Sequence, residues 1–303
     1  MKVVLTGLTH FNRRTAAFLA RHGAPDDVFV VLDTTTRAGK LRFLAELARA
    51  DVIFAYWGTL RHSRALDLAL RMRKRVLLFW AGTDVFDALA AAEAGQVFEP
   101  LLDGCIHLCE SEWLREELST AGVSARVVPL APLVGPPGPS AIELPRTFSV
   151  VAYAGTPRED FYRLPEVIRL ARTFPDVPFT ICGTDGSSVG VEPPPNVAFV
   201  GWIDDVASLY REATVFLRIP EHDGCSFSVR EALAWGRHVI ASYPYAHCLV
   251  GAEHARLVEH LRGLERLHRE GALEPNWAGR DYVLEEYDEA RVYTRLRPLL
   301  AAA

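Results

Sequence analysis

EHDGCSFSVREALAWGRHVIAS, residues 221–242, sets two acids, a glycine and two serines ahead of a short apolar stretch and then a second apolar run. Ser228 and Glu231 have the S-x-x-E spacing of a capping box, with Ser228 as N-cap and Glu231 reaching back to a free amide. Gly236 then stops a short helix, and residues 238–242 follow as a strand. The box gives Glu231 a structural role but leaves Asp223 and Gly224 unexplained, just past a strand that ends near residue 219. A glycine there lets the backbone approach a ligand, and a helix start offers free N–H groups to an anion. Carboxylates suit hydroxyls, which need acceptors. Amides for phosphate beside carboxylates for hydroxyls describe a sugar nucleotide.

Working outward, apolar runs at 3–8, 28–32, 52–57, 76–80 and 105–109 read as strands buried on both faces of a parallel sheet. Between them 13–22, 41–49, 63–73 and 112–121 have helical spacing, with Ser111 as an N-cap and Gly122 as a stop. A proline-glycine linker, PLAPLVGPPGPS at 129–140, suits neither a helix nor a sheet interior. Alternation then restarts. Strands at 148–154, 178–182, 197–200 and 214–219 are interleaved with helices at 160–174 and 204–212, and helices at 253–270 and 281–300 close the chain. Asp204 and Asp205 are adjacent rather than spaced as a metal-binding D-x-D, so a helix N-cap is their expected role. The pattern predicts an α/β protein of two doubly wound, Rossmann-like domains, 1–140 and 141–280, with 281–303 as a terminal helical segment. Ligands of such sheets sit beyond the carboxyl ends of the strands.

The composition, 50% hydrophobic and 23% charged over 303 residues, is that of a globular protein with room for two cores. No apolar run reaches the roughly 18 residues that span a bilayer, and the first residues read as a strand rather than a signal peptide. Five scattered cysteines suit reduced thiols in a cytoplasm. Cys105, His107 and Cys109 would share one face of a strand, yet no second cluster completes a metal site, and buried thiols are expected. Residues 1–75 hold 14 Lys+Arg against 6 Asp+Glu, while the whole chain carries −5. This basic quarter, densest at Arg71, Arg73, Lys74 and Arg75, is either a solvated surface or a peripheral contact with an anionic membrane. Nucleic acid is not expected, because basic and aromatic residues do not alternate as in a stacking platform.

Asp223-x7-Glu231, followed by ALAWG at 232–236 and VIA at 239–241, resembles the E-x7-E segment of retaining glycosyltransferases of the GT-B fold, family-4 type. NVAFVG (196–201), LYREATVFL (209–217), FWAGTDV (79–85) and SEWLREEL (111–118) resemble further family segments and stand in family order. The resemblance implies two Rossmann-like domains facing across a cleft, acceptor side first, donor side second, with the terminal helix crossing back to the first. It implies sugar transfer from a nucleotide donor to an unidentified glycan, lipid or small-molecule acceptor, with retention, no metal and no cofactor. Asp223 and Glu231 become the catalytic acids, for the donor sugar and the ribose respectively. Gly224, Cys225, Ser226, Phe227 and Ser228 line the helix start; Gly155, Thr156, Arg158, Arg163 and Arg218 serve the diphosphate. Gly7, His10, Trp57 and Asp84 fall on the acceptor side.

Three departures qualify the likeness. The first acid is the shorter Asp223. Lysines occur only at 2, 40 and 74, so arginine must replace the family's diphosphate-binding lysine. The histidine common in the segment around residue 80 is absent. Asp84 then either caps the following helix or faces the acceptor, and His10 either faces it or is merely solvated. Two other classes compete. Gly7 with Asp33 resembles the opening of a dehydrogenase-like sugar-nucleotide epimerase, which lacks here both G-x-G-x-x-G and a Tyr-x-x-x-Lys. A catalytically degenerate GT-B binding protein is the other.

Overall fold

The computed structural model describes residues 1–129, 136–187, 190 and 192–301. The chain divides into two compact units, Met1–Pro132 with Glu286–Ala303, and Leu133–Glu285. The first alternates β1 (Lys2–Gly7), α1 (Thr9–His22), β2 (Val28–Val31), α2 (Arg37–Leu47), β3 (Val52–Tyr56), α3 (Arg64–Arg71) and β4 (Arg75–Trp80). It continues with α4 (Asp84–Glu93), α5 (Glu99–Gly104), β5 (Ile106–Cys109), α6 (Glu112–Thr120) and β6 (Ala125–Val127). Its six strands are parallel in the order β2-β1-β3-β4-β5-β6. Both faces are covered, which is why strands such as VIFAY (52–56) are buried throughout. On one face Phe18 and Leu19 of α1 join Val292, Leu296 and Leu299 of the last helix, α12 (Glu289–Leu300). On the other, Phe43 and Leu47 of α2 meet Leu66 and Ala69 of α3.

The second unit runs β7 (Val150–Tyr153), α7 (Leu164–Thr173), β8 (Phe179–Cys182), β9 (Val197–Gly201), α8 (Val206–Glu212), β10 (Val215–Arg218), α9 (Phe227–Ala234) and β11 (His238–Ala241). β12 (Leu249–Val250), α10 (His254–Arg269) and α11 (Trp277–Glu286) follow. Again six parallel strands form the sheet, ordered β12-β11-β10-β7-β8-β9. Val150, Ala152, Leu217 and Ile240 pack there against Val167 and Ile168 of α7 and Leu257 and Leu261 of α10.

Local differences from the sequence pattern have physical causes. The helix expected over 160–174 starts only at Leu164, because Arg163 takes a left-handed φ of 54° and Pro165 sets the first turn. The closing helix expected over 281–300 is two helices, broken before Asp288, whose carboxylate caps α12 through the Arg291 N–H. Ser111 and Asp205 occupy N-cap positions but make no capping bond. Asp205 pairs with Arg211 instead, and Asp204 accepts from the Trp202 indole.

Candidate functional site

β7 and β10 are parallel neighbours, so the loops leaving their carboxyl ends start side by side. They are tied together where the Glu221 N–H donates to the Phe161 carbonyl at 2.8 Å. Arg218, the last residue of β10, reaches forward over its own loop to Asp223. Nε donates to Oδ2 and Nη2 to Oδ1, each at 2.9 Å, the two-point geometry of an arginine fork. The Tyr245 hydroxyl donates to Oδ2 at 2.8 Å and accepts the Ser226 N–H at 2.9 Å. The guanidinium also lies 5.1 Å from the Tyr162 ring centroid and 5.6 Å from that of Tyr153.

Burial opposes the Arg218 cation, but Asp223 outweighs it and holds the guanidinium protonated beyond its ordinary range. Burial, reinforced by the Asp223 charge, likewise keeps Tyr245 a hydroxyl donor. Asp223 is only 6% exposed. Asp223, expected to meet the donor sugar, and Arg218, expected to meet the diphosphate, are engaged with each other. Burying one charge made a partner for it necessary, and the nearest cation supplied it. Their shared work is to fix the loop that delivers Ser226 to the head of α9.

The capping box is also corrected. α9 begins at Phe227 with Ser226 at the N-cap and no side-chain cap, so Ser228 sits inside the first turn. The Ser226 and Ser228 hydroxyls are 2.7 Å apart. No acid occupies this turn. Glu231, one turn on and half-buried, lies 3.2 Å from the Tyr210 hydroxyl, which is equally 3.2 Å from the Ser228 carbonyl. Gly224 and Cys225 are buried beneath the turn, while Ser226, Phe227 and Ser228 are partly open. The other end of α9 is tied by cations. Arg237 Nε donates to the Trp235 carbonyl at 2.7 Å, and Arg280 donates to the Ala234 carbonyl. These bonds take up carbonyls at the negative end of the helix dipole, leaving the positive end facing the loops.

The β7–α7 loop brings Gly155, Thr156, Arg158 and Arg163 to the same edge. A Cβ on Gly155 would come 2.7 Å from the Tyr153 hydroxyl, so a larger residue there would have to displace that side chain. Thr156 donates to buried Glu159 at 2.7 Å, and Thr184, from the loop after β8, donates to the same oxygen at 3.1 Å. Exposed Arg158 stacks on Phe161 with its guanidinium carbon 3.9 Å from the ring centroid. Among the described residues neither Arg158 nor half-buried Arg163 has an ion pair. Two unneutralised guanidinium groups and an uncapped helix head can take an anion, and Glu231 can accept hydroxyls. The sequence reading missed Tyr245, Tyr210 and Glu159. The only signal for Tyr245 was its place in YPYAH, just past the strand that ends at Ala241.

Gly7, His10, Trp57 and Asp84 stand at the carboxyl edge of the first sheet. Gly7 has φ +99°, and a Cβ there would lie 1.8 Å from the Tyr56 carbonyl oxygen. Trp57 takes a φ of 101°, a strained value for an aromatic residue, and is 39% exposed. His10 is exposed, edge-on to Phe11, which stacks on Tyr56. Asp84 proves to be structural. Fully buried, it accepts the Gly58 N–H at 2.8 Å, that of Gly82 at 2.8 Å and that of Ala81 at 3.0 Å. Burial raises its pKa against the pull of those amides. Its oxygens bind two loops rather than a substrate.

Residues 150–269 match the model of the family glycosyl transferases group 1. The matched residues lie within the second unit. The two-sheet fold is that of GT-B glycosyltransferases. HepE of Anabaena, solved with UDP and glucose, is 13% identical over 100% of both chains at a TM-score of 0.69. Sucrose-phosphate synthase of Thermosynechococcus elongatus is 15% identical over 99% of this chain and 98% of its own, also at 0.69. The pneumococcal O-GlcNAc transferase GtfA is 12% identical over 87% of this chain at 0.62, and the chain spans 59% of its length. No curated protein matches the chain in sequence. At 12–15% identity these likenesses establish the fold of the chain.

The dehydrogenase-like opening lacks a free ribose ligand. Asp33, the ribose ligand expected of an epimerase, accepts the N–H and hydroxyl of its own neighbour Thr35. His107 Nδ1 accepts the Trp80 indole N–H, and burial pushes the Cys105 and Cys109 thiols up to about 12. Among the described residues no group of three His, Cys, Asp or Glu could hold a metal ion. No described helix is long and apolar enough to cross a membrane.

Proposed function

We propose that this protein is a glycosyltransferase that takes its sugar from a nucleoside-diphosphate donor whose phosphates rest on the first turn of α9. The observation that carries the reading is that turn itself, free of acids, with Arg158 and Arg163 on the neighbouring loop after β7. The Ser226–Ser228 hydroxyls and the Ser228 amide add donors for phosphate oxygens. Glu231, held near Tyr210, accepts the ribose hydroxyls. The Arg218–Asp223–Tyr245 chain positions the loop and does not touch the phosphates. HepE, with the same fold, was solved with UDP and glucose, which favours a uridine donor.

The bond from the sugar's anomeric carbon to the diphosphate oxygen breaks with its electron pair leaving on oxygen. Negative charge grows there, where the helix dipole and the arginines oppose it, so no metal is required. The acceptor hydroxyl bonds to the same carbon from the face being vacated and gives its proton to the departing phosphate. Configuration is retained without a covalent sugar-enzyme intermediate. The acceptor is recognised by the first unit, where exposed Trp57 and His10 stand beyond β3 and β1.

Titrating UDP into the folded protein and its variants tests this. Arg163→Ala should weaken UDP about tenfold or more, the loss of one charge-assisted hydrogen bond. Glu231→Ala should weaken it while leaving the fold intact by circular dichroism. Wild-type protein that binds no UDP-, GDP- or ADP-sugar in a thermal-shift panel would sink the donor site.

A further inference from the structure

The outward face of α2 does not look like the solvent side of an ordinary sheet-covering helix. Leu41 is 70% exposed and Leu44 51%, although Phe43 and Leu47 already supply the buried side. At 100° per residue, Leu41 and Ala45 run along the most outward line of the helix. Arg37, Lys40 and Leu44 flank that line on one side and Arg42 on the other. Helix α3 packs into the same cluster on the same sheet face. It adds Leu68, 37% exposed, and Met72 just past its end, 41% exposed, with Arg64 and Arg71 beside them. A helix that covers a sheet normally turns polar residues outward. Here four large apolar side chains stand clear among bases.

The charge on this face is not cancelled locally. Glu46 is taken by Lys2, and Asp67 by Arg71 and His62. Among the described residues Arg37, Lys40, Arg42 and Arg64 have no side-chain hydrogen bond or ion pair.

We propose that the α2–α3 face is a docking surface for an anionic phospholipid bilayer. Leu41, Leu44, Leu68 and Met72 enter the headgroup boundary, and the surrounding bases meet lipid phosphates. The combination is what an interfacial helix needs, apolar area for insertion and cations for the negative surface. Long basic side chains can lay their stems along the apolar zone and keep their charges at phosphate level. A nucleic acid would use the cations but has no use for exposed leucines, and the face offers no aromatic ring for a base to stack on. A protein partner would more often meet aromatic anchors.

Sedimentation of the full chain with vesicles provides the test, and it needs no sugar donor, so its outcome is separate from that of the transferase reading. The protein should pellet with phosphatidylglycerol–phosphatidylcholine vesicles and stay in solution with phosphatidylcholine alone. Leu41→Ser with Leu44→Ser should lower the partition about tenfold or more, since both leave water on insertion. Arg37→Ser with Arg42→Ser should lower it about 25-fold, roughly fivefold per base. Arg256→Ser with Arg266→Ser, on exposed positions of α10, should change nothing. Circular dichroism and melting confirm that each variant is folded, which is expected at such exposed sites. Wild-type protein that ignores anionic vesicles overturns the proposal. So does a leucine pair with unchanged partition, or release of the vesicles by an equal charge of short DNA duplex, since either makes the surface a general polyanion patch.

Discussion

Asp84 and Asp223 each lie buried shortly after a parallel strand, one in each unit, and their charges are met by different means. Asp84 draws on the backbone: the Gly58, Ala81 and Gly82 amides converge on it and join the loop after β3 to the turn after β4. Asp223 draws on a side chain, the Arg218 fork, with Tyr245 closing the group. In the first unit the amides near the carboxyl edge are thereby consumed. In the second the acid is satisfied before it reaches the helix, and the first turn of α9 is left without one. The contrast teaches two ways to hold a buried carboxylate at a sheet edge: converging amides in one unit, and an arginine fork with a tyrosine hydroxyl in the other.

The largest effect should come from breaking the side-chain solution. Asp223→Ala leaves the Arg218 guanidinium buried between Tyr153 and Tyr162 with no acid, and should cost about 3–5 kcal/mol in urea unfolding. Arg218→Met added to it should return much of the loss, because the orphaned charge goes too. A double variant as unstable as the single would show that the pair is not what holds this loop. Asp84→Ala should cost about 3 kcal/mol, from backbone N–H groups left buried without an acceptor. No single side-chain replacement should rescue it, since its partners are main chain. UDP affinity should be unchanged in the folded Asp84 variant, and a loss there would put this carboxylate back among the substrate ligands.

How much of this could be read beforehand differs between scaffold and site. Both parallel sheets were legible, because strands buried on two faces write themselves as unbroken apolar runs such as VLLFW (76–80) and VFL (215–217). Short edge elements were not. β12 is two residues long and β6 three, too short for any period. At the site, the S-x-x-E spacing suggested a cap at Ser228, yet the helix started at Phe227, because the Tyr245 hydroxyl holds the Ser226 N–H. That bond joins residues 19 apart, and nothing local announces it. Asp223 fared the same way. Its spacing to Glu231 pointed to a ligand, while its real partners were set by a strand end and a distant tyrosine.

The smallest effect concerns another long-range carboxylate of the first unit, and it carries a sign. Glu289, at the start of α12, accepts from Arg21 Nε at 3.1 Å and lies 2.9 Å from His22 Nε2, so it fastens the last helix to α1. The hydrogen bond from Arg21 lowers its pKa, outweighing the opposite push of burial. A carboxylate depressed in the folded state stabilises above its unfolded pKa, about 4.3, and loses that contribution as pH falls through the folded value. Because the pair is partly solvated, the contribution should be modest, about 0.5–1 kcal/mol. Glu289→Gln should therefore lower stability at neutral pH by that amount and flatten the acid limb of a stability–pH curve. An acid limb of the same slope in Glu289→Gln would assign the sensitivity to other carboxylates, Asp27 first among them, whose pKa is lowered by the chain's amino terminus.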